Sequence, residues 1–95
     1  MKIPEILKIG GKEIKVSFVA PDSLENSNVA MWFPDTFEIK IEDLPGAPLQ
    51  RKEEAFLHET IEAINAMYEL NLVHWKITLL GELLYQIFKD NDLEL

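Results

Sequence analysis

The hydrophobic pattern of the chain changes its period once, near residue 43, and this change limits the fold more than any other feature. In the first half, apolar residues recur at every second position, which is typical of half-buried strands. In the second half they recur at intervals of three and four, which is typical of amphipathic helices. A chain of 95 residues, 47% of them hydrophobic, is large enough for one core and too small for two. The pattern therefore predicts a single α+β domain over residues 1–95, with strands first and two helices second.

The first half contains the signals of a small sheet. Gly10 and Gly11 separate two alternating runs, and glycines supply the positive φ angles of a tight hairpin turn. The short apolar segment 29–33 predicts a third strand, residues 34–36 predict a turn, and the alternation over residues 37–42 predicts a fourth strand. Residues 1–42 are therefore expected to form a small antiparallel β-meander of three to four strands.

The second half predicts two helices, over residues 49–68 and 73–89, joined by a short connection. Their apolar stripes should face the sheet and each other. If Leu80 is buried in this way, its replacement by alanine should cost about 2–5 kcal/mol. The helical residues expected to be buried are Leu57, Ile61, Ile64, Ile77, Leu80, Leu84 and Phe88.

One group of residues in the first helix could carry chemistry. His58 and Glu62 are four positions apart, so their side chains share a helix face and could bind one zinc ion. Glu59, next to His58, could act as a general base that activates water there. The zincin motif H-E-x-x-H has two histidines, whereas this chain has H-E-x-x-E.

The same spacing also fits a solvated helix face. Glu54, His58 and Glu62 form a ladder at four-residue intervals, in which a cationic histidine would lie between two carboxylates. Without a metal, these two charges are expected to raise the pKa of His58 above its ordinary value. Spacing alone leaves both interpretations open.

The sequence around His58 resembles the small single-domain zincins called minigluzincins and the related phage-type metallopeptidases. The likeness extends from about Ile9 to Asn91 and rests on an edge strand at 35–41, a turn and the motif helix. It includes Leu84-Tyr85-Gln86 of the last helix. The motif segment is Phe56-Leu57-His58-Glu59-Thr60-Ile61-Glu62-Ala63-Ile64. The resemblance implies a zincin-like half-domain, zinc as the cofactor, and a peptide or protein as substrate. Because a helix already fixes His58 and Glu62 on one side, close to one zinc ion per chain is expected.

The resemblance also implies a set of site residues. It assigns His58 and Glu62 as zinc ligands and Glu59 as the catalytic base. In gluzincins the third ligand is a glutamate on a later helix, and Glu82 is the only glutamate within the predicted second helix. A helical wheel places Glu82 away from the stripe that should face the first helix. The helix is therefore rotated from the expected orientation, or the site lacks this third ligand.

Three other features have two interpretations each. His74 at the start of the second helix could complete a metal site or could be solvated. Asn65, on the same face as His58, could orient a metal ligand through a hydrogen bond without binding the metal itself, or it could cap the helix or contact solvent. The segment 29–33 could form part of a groove that binds extended peptide, or it could cover the core or a contact in a homo-oligomer.

Composition excludes several classes of function. The chain has no cysteine, which excludes disulfides and thiolate metal sites. Its net charge of −8 argues against nucleic acid and anionic membranes as partners. No segment has the apolar length of a signal-peptide core or a membrane span, so a cytoplasmic protein is expected, although a virion component would have the same features.

Two non-catalytic functions remain open beside the peptidase. The chain could be a phage or prophage interaction or structural protein that kept the fold and lost the metal. It could also be a small acidic inhibitor that uses its charge of −8 to bind a basic partner.

Overall fold

The structure is a computed structural model that describes residues 2–25 and 28–93. It confirms an α+β domain in which strands precede two helices. Helix α1 has the predicted bounds, and α2 begins and ends one residue later than predicted. Residues 1, 26, 27, 94 and 95, which the predicted domain includes, lie outside the described residues. The elements are β1 Ile6–Ile9, β2 Lys12–Val19, β3 Ala30–Phe33, β4 Glu38–Glu42, α1 Leu49–Tyr68 and α2 His74–Asp90.

The predicted hairpin at the glycine pair is confirmed. Gly10 and Gly11 have φ angles of 52° and 80°, and the antiparallel pairing of β1 with β2 closes on Ile9 and Lys12. The hydroxyl of Tyr68, at the end of α1, lies where a β-carbon on Gly10 would stand. The turn therefore requires glycine at position 10 for its backbone angle and also for the space that α1 occupies.

The connectivity of the sheet differs from the predicted meander. The strand order is β1-β2-β4-β3, with β2 and β4 parallel and β3 and β4 antiparallel. The sheet is therefore mixed and not antiparallel throughout. Burial explains the order, because β4 carries the fully buried Ile39 and Ile41 and occupies an interior position, whereas Trp32 and Phe33 of β3 are half-buried at the edge.

The prediction that residues 35–41 form an edge strand is wrong, because β4 has a neighbouring strand on each side. The strand begins only at Glu38, because Phe37 lies in the preceding turn with a φ angle of 53°. Its neighbour β3 forms this edge of the sheet, and β1 forms the other edge. Both β3 and β4 contact α1. The motif helix therefore lies beside an edge strand, but this strand comes earlier in the sequence than the resemblance implied.

The core lies between the sheet and one face of α1. Among the described residues, α2 packs against α1 and makes no extensive contact with the sheet. No helix within the described ranges is long and apolar enough to cross a membrane. The main core cluster consists of Ile14, Val16, Ala30, Ile39, Ile41, Phe56 and Ala63.

The predicted burial of Leu80 is wrong, since its side chain is 41% exposed. Because α2 is covered only by α1, one of its faces is buried, and this face carries Ile77, Gly81 and Tyr85. The predicted burial of Leu57 and Ile77 is confirmed. The other four residues of the predicted stripes are half-buried, namely Ile61, Ile64, Leu84 and Phe88.

Polar contacts fix α1 against the sheet and against α2. Arg51 near the start of α1 forms an ion pair of 3.0 Å with Glu42 at the end of β4. The backbone N–H of Asp22 donates to the same carboxylate at 2.9 Å. Between the helices, the buried hydroxyl of Tyr85 donates to Glu53 at 2.8 Å. These contacts hold the two helices at the positions that define the candidate site.

Candidate metal centre

Helix α1 places the two predicted motif ligands side by side. The Nε2 atom of His58 lies 3.6 Å from the Oε2 atom of Glu62, one helical turn further along. This proximity follows from the four-residue spacing in a regular helix. Both side chains are partly exposed, so the pair is open to solvent.

Helix α2 adds a second histidine to this pair. The Nδ1 atom of His74, the first residue of α2, lies 3.6 Å from the same oxygen of Glu62. The rings of His58 and His74 meet edge to face, with their centroids 5.1 Å apart. One donor atom from each of the three residues lies within 4.8 Å of the other two. We call His58, Glu62 and His74 the donor group.

The connection between the helices determines where His74 lies. The side-chain oxygen of Asn65 accepts a hydrogen bond of 2.9 Å from the backbone N–H of Leu72, and its amide nitrogen donates to the carbonyl of Leu72 at 3.4 Å. Glu69 and Asn71 have positive φ angles of 51° and 58°, which turn the chain sharply. Asn65 therefore positions the segment that leads into His74, and its side chain bonds to the backbone after the end of α1.

Gly81 permits the close approach of α2 to His58. A β-carbon at this position would lie 3.5 Å from the α-carbon of His58, which is ordinary van der Waals contact. A side chain longer than alanine would therefore have to displace His58 or separate the helices. The absence of a side chain at Gly81 keeps the two helices close beside the donor group.

Glu59 lies between this group and the edge strand. Its Oε2 atom is 3.9 Å from Nε2 of His58, and its carboxylate accepts a hydrogen bond from the backbone N–H of Trp32 in β3. Burial, followed by the nearby charge of Glu62, raises the pKa of Glu59 to about 7, and the Trp32 hydrogen bond opposes this rise. The group therefore exchanges its proton near neutral pH, as a general base must.

The pKa of His58 shifts in the opposite direction to that predicted from the Glu54–His58–Glu62 ladder. Burial lowers it below 6.5, and the positive charge of a protonated His74 lowers it further, while Glu62 raises it. The ladder prediction was wrong because it omitted the loss of solvent around the ring. Glu54 instead accepts a hydrogen bond of 3.0 Å from Gln50. A neutral imidazole is the form that binds a metal.

Two of the three separations among these donor atoms fit a zinc ion. Two ligand atoms of a tetrahedral zinc ion lie about 3.4 Å apart, given bond lengths of about 2.0–2.1 Å. The two separations of 3.6 Å that involve Glu62 are close to this value. Two histidines and one glutamate form a known donor set of catalytic zinc sites. The second nitrogen of the His74 ring lies 3.5 Å from the Thr78 hydroxyl, which can hold the ring orientation.

Glu82, the third ligand implied by the resemblance, is not part of this group. Its side chain is exposed and lines the same cleft as His58, one residue beyond Gly81 in α2. The rotation of α2 that buries Ile77, Gly81 and Tyr85 leaves Glu82 in the cleft, outside the converging donors. His74 belongs to this group instead, and the sequence had left open whether His74 completes a metal site or is solvated.

Two clefts meet at His58, Glu59 and His74. The larger, of about 630 Å³, lies between the start of β3 and the two helices. The smaller, of about 340 Å³, runs along β3 past Trp32 and Glu62. A ligand bound in the smaller cleft, alongside β3, would therefore contact the donor group.

The raised pKa of Glu59 predicts a pH effect on the metal-free protein. Because the folded value of about 7 exceeds the ordinary value of 4.5, protonated Glu59 favours the folded state. This contribution, up to about 3 kcal/mol, is complete below pH 4.5 and is lost as the pH rises through about 7. An NMR titration of the Glu59 carboxyl carbon in chelator should have its midpoint near 7. A midpoint near 4.5 would contradict the burial of this carboxylate between α1 and β3.

Comparisons with protein-family models, curated proteins and solved structures found no match to this chain.

Proposed function

We propose that this chain is a zinc-dependent peptidase that holds its metal with His58, Glu62 and His74. The observation that carries the proposal is the convergence of these three donors within 4.8 Å of one another, beside the carboxylate of Glu59. Catalytic zinc sites commonly have three such protein ligands and leave a fourth position for water or substrate. The resemblance of the motif helix to that of minigluzincins supports the same reaction class.

The residues of the site have separate roles in this reaction. His58 and His74 would hold a zinc ion through neutral nitrogens, and Glu62 would hold it through one anionic oxygen. When bound, the ion would supply a Lewis acid that polarises a peptide carbonyl and makes water a stronger nucleophile at neutral pH. Glu59 accepts a proton from the attacking water and passes it to the leaving amine. In the metal-free protein the pKa of Glu59 is raised to about 7, and a zinc ion at the nearby donors would favour the ionised carboxylate that accepts the proton.

The position of β3 supports an extended peptide as the substrate. This strand forms an edge of the sheet, and Ala30, Met31 and Trp32 line the cleft together with His58 and Glu59. Edge strands bind extended peptides by adding them to the sheet through backbone hydrogen bonds. A peptide bound in this way would pass Glu59, whose carboxylate already contacts the Trp32 backbone.

Replacement of Glu59 with glutamine tests the catalytic role. The variant should bind zinc normally and lose peptide hydrolysis by at least about 100-fold, because glutamine cannot accept the proton. The measurement is cleavage of a mixture of unstructured peptides by zinc-loaded protein, followed by mass spectrometry. Glu82→Gln is the matched control, since it makes the same chemical change in the same cleft outside the donor group.

The proposal fails if zinc-loaded wild-type protein cleaves no peptide, or if Glu59→Gln cleaves as fast as wild type. The second candidate function is then a non-catalytic interaction protein of phage or prophage type. The outward face of α2 favours it, because several large apolar side chains are exposed there, and such faces mark protein-binding surfaces.

A further inference from the structure

The outer stripe of α2, defined as Leu79, Leu80, Leu83 and Ile87, lies opposite the face that packs on α1. Each of these side chains is between 41% and 47% exposed. They recur at intervals of three and four residues, so they form one continuous apolar strip along the helix. A lone exposed leucine needs no explanation, but four large aliphatic side chains on one helix face mark a surface that binds a partner.

Charges of opposite sign flank this stripe. Lys76 lies seven residues before Leu83, and Asp90 lies seven residues after it. Seven residues are nearly two full turns, so all three side chains project in almost the same direction. Each charge is about 10 Å from Leu83 along the helix axis, at a rise of about 1.5 Å per residue. Both charged residues are exposed.

We propose that the outer stripe of α2 binds the same stripe of a second copy of this chain, with the two helices antiparallel. A two-fold axis at Leu83 places Lys76 of one copy beside Asp90 of the other, and it does so twice. The same axis places Leu79 opposite Ile87 of the second copy and Leu83 opposite itself. The face is therefore complementary to itself in charge and in apolar contact, as a two-fold interface requires.

A parallel pairing does not satisfy these constraints. It would place Lys76 beside Lys76 and Asp90 beside Asp90, and like charges at an interface repel. It would also align the two helix dipoles, whereas an antiparallel pair places opposite ends together. The charges at the two ends of the stripe therefore select the antiparallel dimer.

The dimer is independent of the proposed metal site. His74 and Gly81 lie on the side of α2 that faces α1, away from the outer stripe. Two copies joined through the stripe would leave the clefts at His58 open. We therefore expect the dimer to form equally in zinc-loaded and chelator-treated protein.

Sedimentation equilibrium over a concentration series tests the proposal. Wild-type protein should show a monomer–dimer equilibrium, and Leu83→Glu should raise the dissociation constant at least about 10-fold, or about 1.4 kcal/mol. This change places two like charges together at the two-fold axis. Leu49→Glu is the matched control, because Leu49 is 61% exposed on α1 outside the stripe, and this variant should associate like wild type.

A charge exchange supplies a second test that does not alter the apolar stripe. Lys76→Glu alone should weaken association several-fold, and the double variant Lys76→Glu/Asp90→Lys should restore it. Wild-type protein that stays monomeric throughout the series would overturn the proposal. A dimer that is equally strong in Leu83→Glu, or a double variant no stronger than the single one, would also overturn it.

Discussion

Replacement of His74 with alanine is expected to lower the affinity for zinc by more than about 100-fold, because loss of a group that only orients a ligand already costs about 10–100-fold. The fold should remain intact, since His74 is 74% exposed at the first position of α2. Zinc affinity is measured by competition with a chelating dye, and unfolding by urea denaturation of the metal-free variant.

The matched control for this variant is Glu82→Gln. Glu82 lines the same cleft and is the ligand that the resemblance to gluzincins implies, but it lies outside the converging donors. The control should bind zinc with the affinity of wild type. If Glu82→Gln loses zinc and His74→Ala retains it, the ligand assignment made from the structure is wrong and the one implied by the resemblance is right.

Replacement of Ile39 with alanine is expected to lower the free energy of unfolding by about 2–5 kcal/mol, the usual cost of emptying a well-packed site. Ile39 is fully buried in the interior strand β4 and belongs to the core between the sheet and α1. The measurement is equilibrium urea denaturation, with the metal-free protein held at one low concentration so that association does not contribute.

Leu80→Ala is the comparison for this experiment, because periodicity alone predicted that this replacement would cost about 2–5 kcal/mol. The structure leaves Leu80 41% exposed, so its replacement in the monomer should change stability by less than about 1 kcal/mol. A loss above 2 kcal/mol at Leu80 would show that α2 is rotated about its axis, so that Leu80 and not Gly81 faces α1.

The sequence predicted those features that depend on local spacing. The hairpin follows from Gly10-Gly11 between alternating runs, and the bounds of α1 follow from a regular helical period. The proximity of His58 and Glu62 is also local, because any regular helix brings residues four apart together.

The features that the sequence did not predict depend on contacts between distant segments. The parallel pairing of β2 with β4 is set by competition among strands for buried positions, which alternation within one strand does not reveal. The position of His74 depends on the hydrogen bonds between Asn65 and Leu72 and on the contact of Gly81 with α1. The exposure of Leu80 depends on α2 being covered by α1 alone.

The most direct test of the proposed metal centre is an NMR titration of the chelator-treated protein with zinc, in which both histidine rings are observed. The structure predicts that the signals of His58 and His74 shift together and saturate at one zinc ion per chain, because one site uses both rings. A shift of His58 without His74, or a titration that does not saturate at one ion per chain, would contradict the proposed centre.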